Sequence, residues 1–185
     1  MDRLVFRDLT SYKLIDRSGR TAIMELVRGA ILVATTIGLG LITGLFYTFS
    51  ISVMPSLRGV DDRTFVDVMQ RINRDIQNGK FFLSFIGSFL LIILSLVLFI
   101  GVDGSVVLPL VVALVFYVGN LAITFAGNIP LNNQLERRGH PDKITDMPGA
   151  RKAFEARWHK LNTLRGLCCA AAFLALCWAL IQYAK

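Results

Sequence analysis

The chain has 185 residues, of which 54% are hydrophobic and 18% charged, and its net charge is +7. With a mean hydropathy of +0.57 it is too apolar for an ordinary soluble domain and suits a small integral membrane protein. The basic excess does not point to nucleic acid, because the Lys and Arg residues sit beside long apolar runs, where they face anionic lipid headgroups.

Residues 1–28 form a mixed-charge leader holding Arg3, Arg7, Lys13, Arg17, Arg20 and Arg28. Ile23, Met24 and Val27 follow Thr21, so the leader is either a solvated tail or a short interfacial helix running into the first span. No cleavable signal peptide is expected, because the first apolar run is too long for a signal-peptide core and ends in Met54-Pro55-Ser56-Leu57. Residues 29–185 read as one four-span domain, with spans at about 30–54, 81–102, 106–129 and 167–184. Crossing a bilayer takes about 20 apolar residues. No charge occurs from Gly29 to Leu57 or from Phe81 to Val102, and after Asp103 the next is Glu136.

In span one, Thr36, Gly40, Gly44 and Thr48 recur every four residues. Small residues at this spacing let backbones approach, so Gly40 and Gly44 are expected to form a packing seam, for a neighbouring helix or a second copy of the chain. Tyr47, Ser50 and Met54 add polar groups on a neighbouring face, near the end where Pro55 is expected to stop the span. The loop that follows contains an amphipathic helix. Asp61 or Asp62 can cap it, and Phe65, Met69, Ile72 and Ile76 form its apolar stripe. Asn78-Gly79 is expected to end it. It either lies in the interface plane or caps the open end of the bundle, and Asn73 beside the stripe then points towards the bundle.

Span two, with only Ser84, Ser88 and Ser95 as polar residues, is expected to be a lipid-facing wall. Gly101 to Ser105 is a tight turn into span three. Span three carries Asn120, Thr124, Asn128 and Asn132 at four-residue spacing, one polar stripe on an apolar helix. Polar groups in hydrocarbon are costly, so the stripe is either helix–helix glue or one wall of a small-molecule pocket. Pro130 is expected to kink or end the helix. Beyond breaks at Arg137–Pro141 and Met147–Gly149, a helix runs from Ala150 into span four, with Trp158, Asn162, Arg165 and Cys169 on one face. Arg165 either snorkels to the headgroups beside Trp158 or turns inward to an anionic ligand or the Asn128 and Asn132 carbonyls. Cys168, Cys169 and Cys177 read as small apolar fillers.

The expected fold is all-α: an integral membrane, up-and-down four-helix bundle with an amphipathic loop helix. Four spans put both long loops on one side. These loops, taken through Arg165, hold thirteen of the 20 Lys and Arg residues, so that side is expected to be cytoplasmic in a bacterial inner membrane.

No Asp, Glu, Lys or His lies in the middle of a span, against a proton pump or ion channel. His140 and His159 alone, without membrane carboxylates, do not make a metal site, and no phosphate loop or nucleophile motif occurs, so no metal or cofactor is expected. What remains is a set of neutral polar and aromatic residues with one cation on the loop side: Tyr47, Ser50, Asn73, Thr124, Asn128, Asn132, Trp158, Asn162 and Arg165. Such a group suits a flat, apolar, oxygenated ligand and can stabilise an enolate or phenolate.

The segments Gly44–Leu57 (GLFYTFSISVMPSL), Met69–Asn78 (MQRINRDIQN), Asn128–Leu135 (NIPLNNQL) and Trp158–Arg165 (WHKLNTLR) resemble the anthrone oxygenase-like family, small four-span membrane proteins formerly a domain of unknown function. The resemblance extends over about Gly38 to Leu180. It implies a cofactor-independent monooxygenase that oxidises an anthrone or another hydrophobic phenolic with molecular oxygen. In that chemistry Arg165 stabilises the substrate anion while Asn128, Asn132 and Asn162 orient its oxygens. Tyr47, Ser50, Asn73, Thr124 and Trp158 contact the ring system, and the proton acceptor is unassigned. The rival is a non-enzymatic lipid- or quinone-binding protein, or a subunit bracing a larger complex. A small-solute transporter is disfavoured by the lack of an internal repeat.

Overall fold

The computed structural model describes the backbone of residues 2–185 and the side chains of residues 19–185. Its helices are α1 (Asp2–Thr48), α2 (Met54–Leu57), α3 (Asp62–Asp75), α4 (Gly79–Phe99), α5 (Gly104–Ile123), α6 (Ile129–Glu136) and α7 (Met147–Tyr183). Among the described residues four helical runs are long and apolar enough to cross a membrane, at residues 19–57, 79–99, 104–136 and 147–183. The protein is an all-α membrane bundle. α1 packs against α4 and α7, and α5 packs against the same two, which closes a four-helix ring. Leu39, Ile92, Leu110 and Leu176 meet in its core.

Two prolines behave differently from expectation. Pro55 does not stop span one at residue 54, and Pro130 does not end span three. Each follows a wide π-helical turn, Phe49–Val53 and Thr124–Asn128. In these turns Met54 N–H donates to Phe49 O and Ile129 N–H to Thr124 O, five residues back. A proline lacks the amide hydrogen and its ring collides with the carbonyl four residues earlier. Widening the preceding turn moves that carbonyl aside, so the helix continues into α2 or α6.

The wide turn also keeps the polar stripe in register. Residues four apart drift by about 40° per step on an ordinary helix. In span one nothing corrects this. Gly40 sits under Phe173 of α7, where an added Cβ would meet the ring at 3.1 Å, but Gly44 faces open space and Thr48 is exposed. The expected seam therefore unwinds out of the bundle after Gly40. In span three the extra residue takes up most of the drift. Asn120, Thr124 and Asn128 are all buried, and Asn132 is half-buried.

Span two is more than a lipid wall, since Phe85, Ser88, Ile92, Ser95 and Phe99 form its buried face. Ser95 Oγ lies 3.1 Å from Thr35 Oγ1. Ser88 fits against Gly38, where an added Cβ would stand 2.8 Å from the Ser88 hydroxyl but 4.0 Å from Ser88 Cβ. Gly38→Ala is therefore expected to cost about 1–3 kcal/mol. Adding Ser88→Ala should restore most of it, measured as thermal unfolding in detergent. The residue pair Asn78-Gly79 starts α4 rather than ending α3, because the Asn78 side chain accepts from Phe81 N–H at 3.1 Å.

Helix α3 caps the loop-side end of the bundle. Asp61 accepts from Thr64 N–H at 3.0 Å, and Phe65, Val66 and Met69 are buried against Leu131, Leu135, Phe154 and Trp158. Gln70 Nε2 donates to Leu135 O and Gly139 O, both at 3.0 Å, and Arg74 pairs with Glu136 at 2.7 Å. Arg63 holds Asp142 in the second long loop. That hydrogen bond keeps the Asp142 carboxyl below the usual carboxylate range. A folded value below the unfolded one means the tether is fully present above about pH 4 and is lost as pH falls through the depressed value. Hydrogen-exchange protection of the Pro141–Lys143 turn should fall in acid before that of α7, with a small amplitude because the pair is exposed.

Candidate functional site

The π-turn of span three, the Phe46–Phe49 turn of α1 and the middle of α7 meet beneath α3. They enclose a cavity of about 190 Å³. Its walls are aromatic, built from Phe46, Phe49, Phe81, Phe82, Phe85, Phe125 and Trp158. Phe81 stacks on Phe85 at 5.2 Å, and Trp158 lies 5.7 Å from Phe49. Ile72, Ile76 and Met69 form the roof, and Asn73, Gln77, Asn132 and Asn133 supply the polar rim. Thr124 and Arg165 complete the lining.

Arg165 is 8% exposed and stacks over the Phe46 ring at 4.1 Å and the Trp158 ring at 5.6 Å. Among the described residues no carboxylate pairs with it. Its Nε and Nη2 donate to Asn162 Oδ1 at 3.2 and 3.0 Å, and Nη1 to Thr124 Oγ1 at 3.5 Å. A guanidinium has five N–H groups. Three are spent here, which leaves one on each terminal nitrogen, a fork suited to one oxyanion or to two adjacent oxygens. A buried cation without an acidic partner is expensive in apolar surroundings. Asn162 is what makes it tolerable: its Nδ2 donates to Phe46 O at 3.1 Å and Ser50 Oγ at 3.0 Å, so its carbonyl oxygen is fixed towards Arg165.

The expected site residues divide by position. Arg165, Thr124, Asn132, Asn73 and Trp158 line the cavity. Asn162, Ser50 and Asn128 stand behind the lining. Ser50 supports Asn162, and Asn128 Nδ2 reaches Trp158 O at 3.4 Å. Asn132 Oδ1 accepts from Trp158 Nε1 at 2.8 Å, which orients the indole and leaves the Asn132 amide nitrogen for a ligand. Arg165 therefore turns inward, but to Asn162 and Thr124 rather than to the Asn128 and Asn132 carbonyls. Tyr47 does not reach the cavity. It lies one residue, about 100° of helix, from the buried Phe46 and is 59% exposed.

The stripe divides by position. Asn120 and Asn128 pack inside the bundle, whereas Thr124 and Asn132 face the cavity. Thr124 Oγ1 also lies 3.5 Å from Asn120 Oδ1, while Asn120 Nδ2 and Asn128 Oδ1 are buried without a partner. Sequence reasoning missed Phe46, Phe85, Gln77 and Asn133 as lining residues. Phe46 was findable, because it stands four residues before Ser50 on the same helix face.

The chain matches a protein-family model described as anthrone oxygenase over residues 81–175. No curated protein and no solved structure matches it. The matched stretch contains the Asn128–Leu135 and Trp158–Arg165 elements that build the cationic side of the cavity, whereas Gly44–Leu57 and Met69–Asn78 precede it. Spanning more than half of the sequence and three of its four spans, this match places the chain in the anthrone oxygenase family.

Proposed function

We propose that the chain is an oxygenase of an anthrone or similar fused-ring phenolic, with Arg165 as the group that holds the substrate's anionic oxygen. The observation that carries this reading is the buried Arg165 fork, without a carboxylate partner, opening on an aromatic slot. An anthrone loses a proton from its methylene carbon to give an anion delocalised onto the carbonyl oxygen. Two N–H donors at that oxygen favour the anion, as fixed donors do at developing oxyanions. The anion passes one electron to dioxygen and the two radicals join through a new carbon–oxygen bond. The peroxide oxygen takes up a proton. Loss of water then breaks the oxygen–oxygen bond and the remaining carbon–hydrogen bond, leaving the quinone carbonyl. One dioxygen is consumed per substrate, with one atom kept and one released as water.

Among the described residues no carboxylate or imidazole lines the slot. In this scheme the substrate's own acidity, raised by Arg165, supplies the anion, and the proton leaves to water at the amide rim. Asn73 and Asn132 orient the ring hydroxyls. The proposed setting is a bacterial inner membrane with the long loops cytoplasmic, the side that carries most of the Lys and Arg residues.

The absence of a lining base also favours a second reading, a protein that binds a quinone or lipid without turning it over. Oxygen uptake by the purified protein in vesicles with emodin anthrone separates the two. The oxygenase reading predicts uptake above the spontaneous rate, at one dioxygen per quinone formed. Binding with no added uptake would leave only the second reading.

A further inference from the structure

Towards the loops the cavity has a polar edge, where its lining residues Gln77 and Asn133 are exposed. Gln70 and the Arg74–Glu136 pair fasten α3 to α6 and the loop beyond it, over the buried Phe65 and Met69. Its side is different. Two of its lining hydrophobics reach the outer surface, Phe82 on α4 at 48% exposure and Phe125 in the π-turn at 56%. Phe82 lies two residues inside Lys80, on a helix that is otherwise uncharged to its end. The next residue, Leu83, is also exposed, as is Val118 on α5, so the surface around this seam is apolar. Eighteen residues separate Arg165 from Tyr183, about 27 Å of helix. Tyr183, bonded to Glu25, marks the opposite boundary. Across a hydrocarbon layer of about 30 Å, the cavity therefore stands at the loop-side edge of the acyl chains.

We infer that the slot is filled from the bilayer: an apolar fused-ring ligand dissolved among the acyl chains enters sideways, between α4 and the π-turn of span three, past Phe82 and Phe125. This rests on the binding of such a ligand proposed above, and it adds the route. Along this seam α4 packs closely on α5 but not on the π-turn that follows it. Ile86, one turn further along α4 than Phe82, lines the same passage.

The route can be read without turnover. Trp178→Phe leaves Trp158, on the cavity wall, as the sole tryptophan. Vesicles of phosphatidylcholine brominated on the upper part of one acyl chain are expected to quench Trp158 emission strongly, since bromine quenches only at short range. Iodide in the aqueous phase should leave it almost unchanged. Ile86→Phe, which narrows the passage, should weaken the bromine effect, and Ile86→Ala should deepen it, in proteins of unchanged thermal unfolding. Quenching by iodide rather than by brominated lipid would overturn the inference in favour of an aqueous mouth. Bromine quenching indifferent to both Ile86 variants would also overturn it, as would no quenching by either agent. Loss of oxygenase activity in the assay above would leave these readings untouched, so the two claims fail separately.

Discussion

Arg165→Met is expected to lower oxygen uptake with emodin anthrone by about 10²-fold or more, to near the spontaneous rate, the size of effect seen when a fixed oxyanion donor is removed. The stability of the protein should hardly change. The variant loses the cation–ring contact with Phe46 and leaves Asn162 Oδ1 without its donor, a cost of about 1–3 kcal/mol. Against this, it removes a buried cation that has no acidic partner, and replacing buried charge by a well-packed apolar side chain is often neutral or stabilising. A residue that merely braced the bundle would behave in the opposite way, costing stability and sparing any turnover. Arg165→Lys should recover little activity, because a single ammonium cannot donate to Asn162 and Thr124 and still present a planar pair of N–H groups to a ligand. Oxygen-electrode rates and thermal unfolding on the same preparations check all three statements.

Arg151→Ala is expected to destabilise the loop-side end by about 2–4 kcal/mol. Its guanidinium donates to Leu57 O, Arg58 O and Val60 O, pairs with Asp62 and Glu155, and stacks over Phe65 at 4.6 Å. One side chain thus ends α2, starts α3 and ties both to α7. Its side chain is only 13% exposed, whereas Asp62 and Glu155 keep 35% and 24% of theirs, so the loss falls mainly on the Leu57 and Val60 carbonyls and the Phe65 ring. Because α3 roofs the cavity, the variant should also admit aqueous iodide to Trp158. Proteolysis within 57–62 and the shift of the unfolding midpoint measure the effect. A variant as stable as the parent, with an unchanged roof, would show that the apolar contacts of Phe65 and Met69 suffice.

The spans were legible because crossing a bilayer imposes a length and forbids charge, and those two conditions leave little freedom for 29–57 or 81–102. The amphipathic loop helix was legible for a similar reason, since Phe65, Met69, Ile72 and Ile76 have one face to share. The π-turns were not. Pro55 and Pro130 announce a disturbance, but a lost amide hydrogen can be met by a stop, a kink or a widened turn, and only the packing of the neighbouring helices decides which. That choice determined which of the polar residues could face one another. Arg165 and Asn162 were recognisable as sharing one helix face, though not as partners. The partnership of Asn162 with Phe46 O and Ser50 Oγ crosses between helices 112 or more positions apart and has no local signature. Tyr47 misled because a hydroxyl near the right depth suggests a polar site, whereas its helix phase turns it to lipid. Gly44 leaves the interior of the bundle in the same way, since a repeat of four residues drifts unless something resets it.

On the proposed function, the amides of span three and the Arg165 fork bound one space that takes an anionic, oxygenated ring system. Titrating the Trp178→Phe protein with a phenolic anthraquinone, at a pH where the phenol is ionised, and following Trp158 emission tests this directly. Saturable quenching is expected, weakening at least about tenfold, about 1.4 kcal/mol, in Arg165→Met. Absent quenching, or equal affinity in the two proteins, would contradict it.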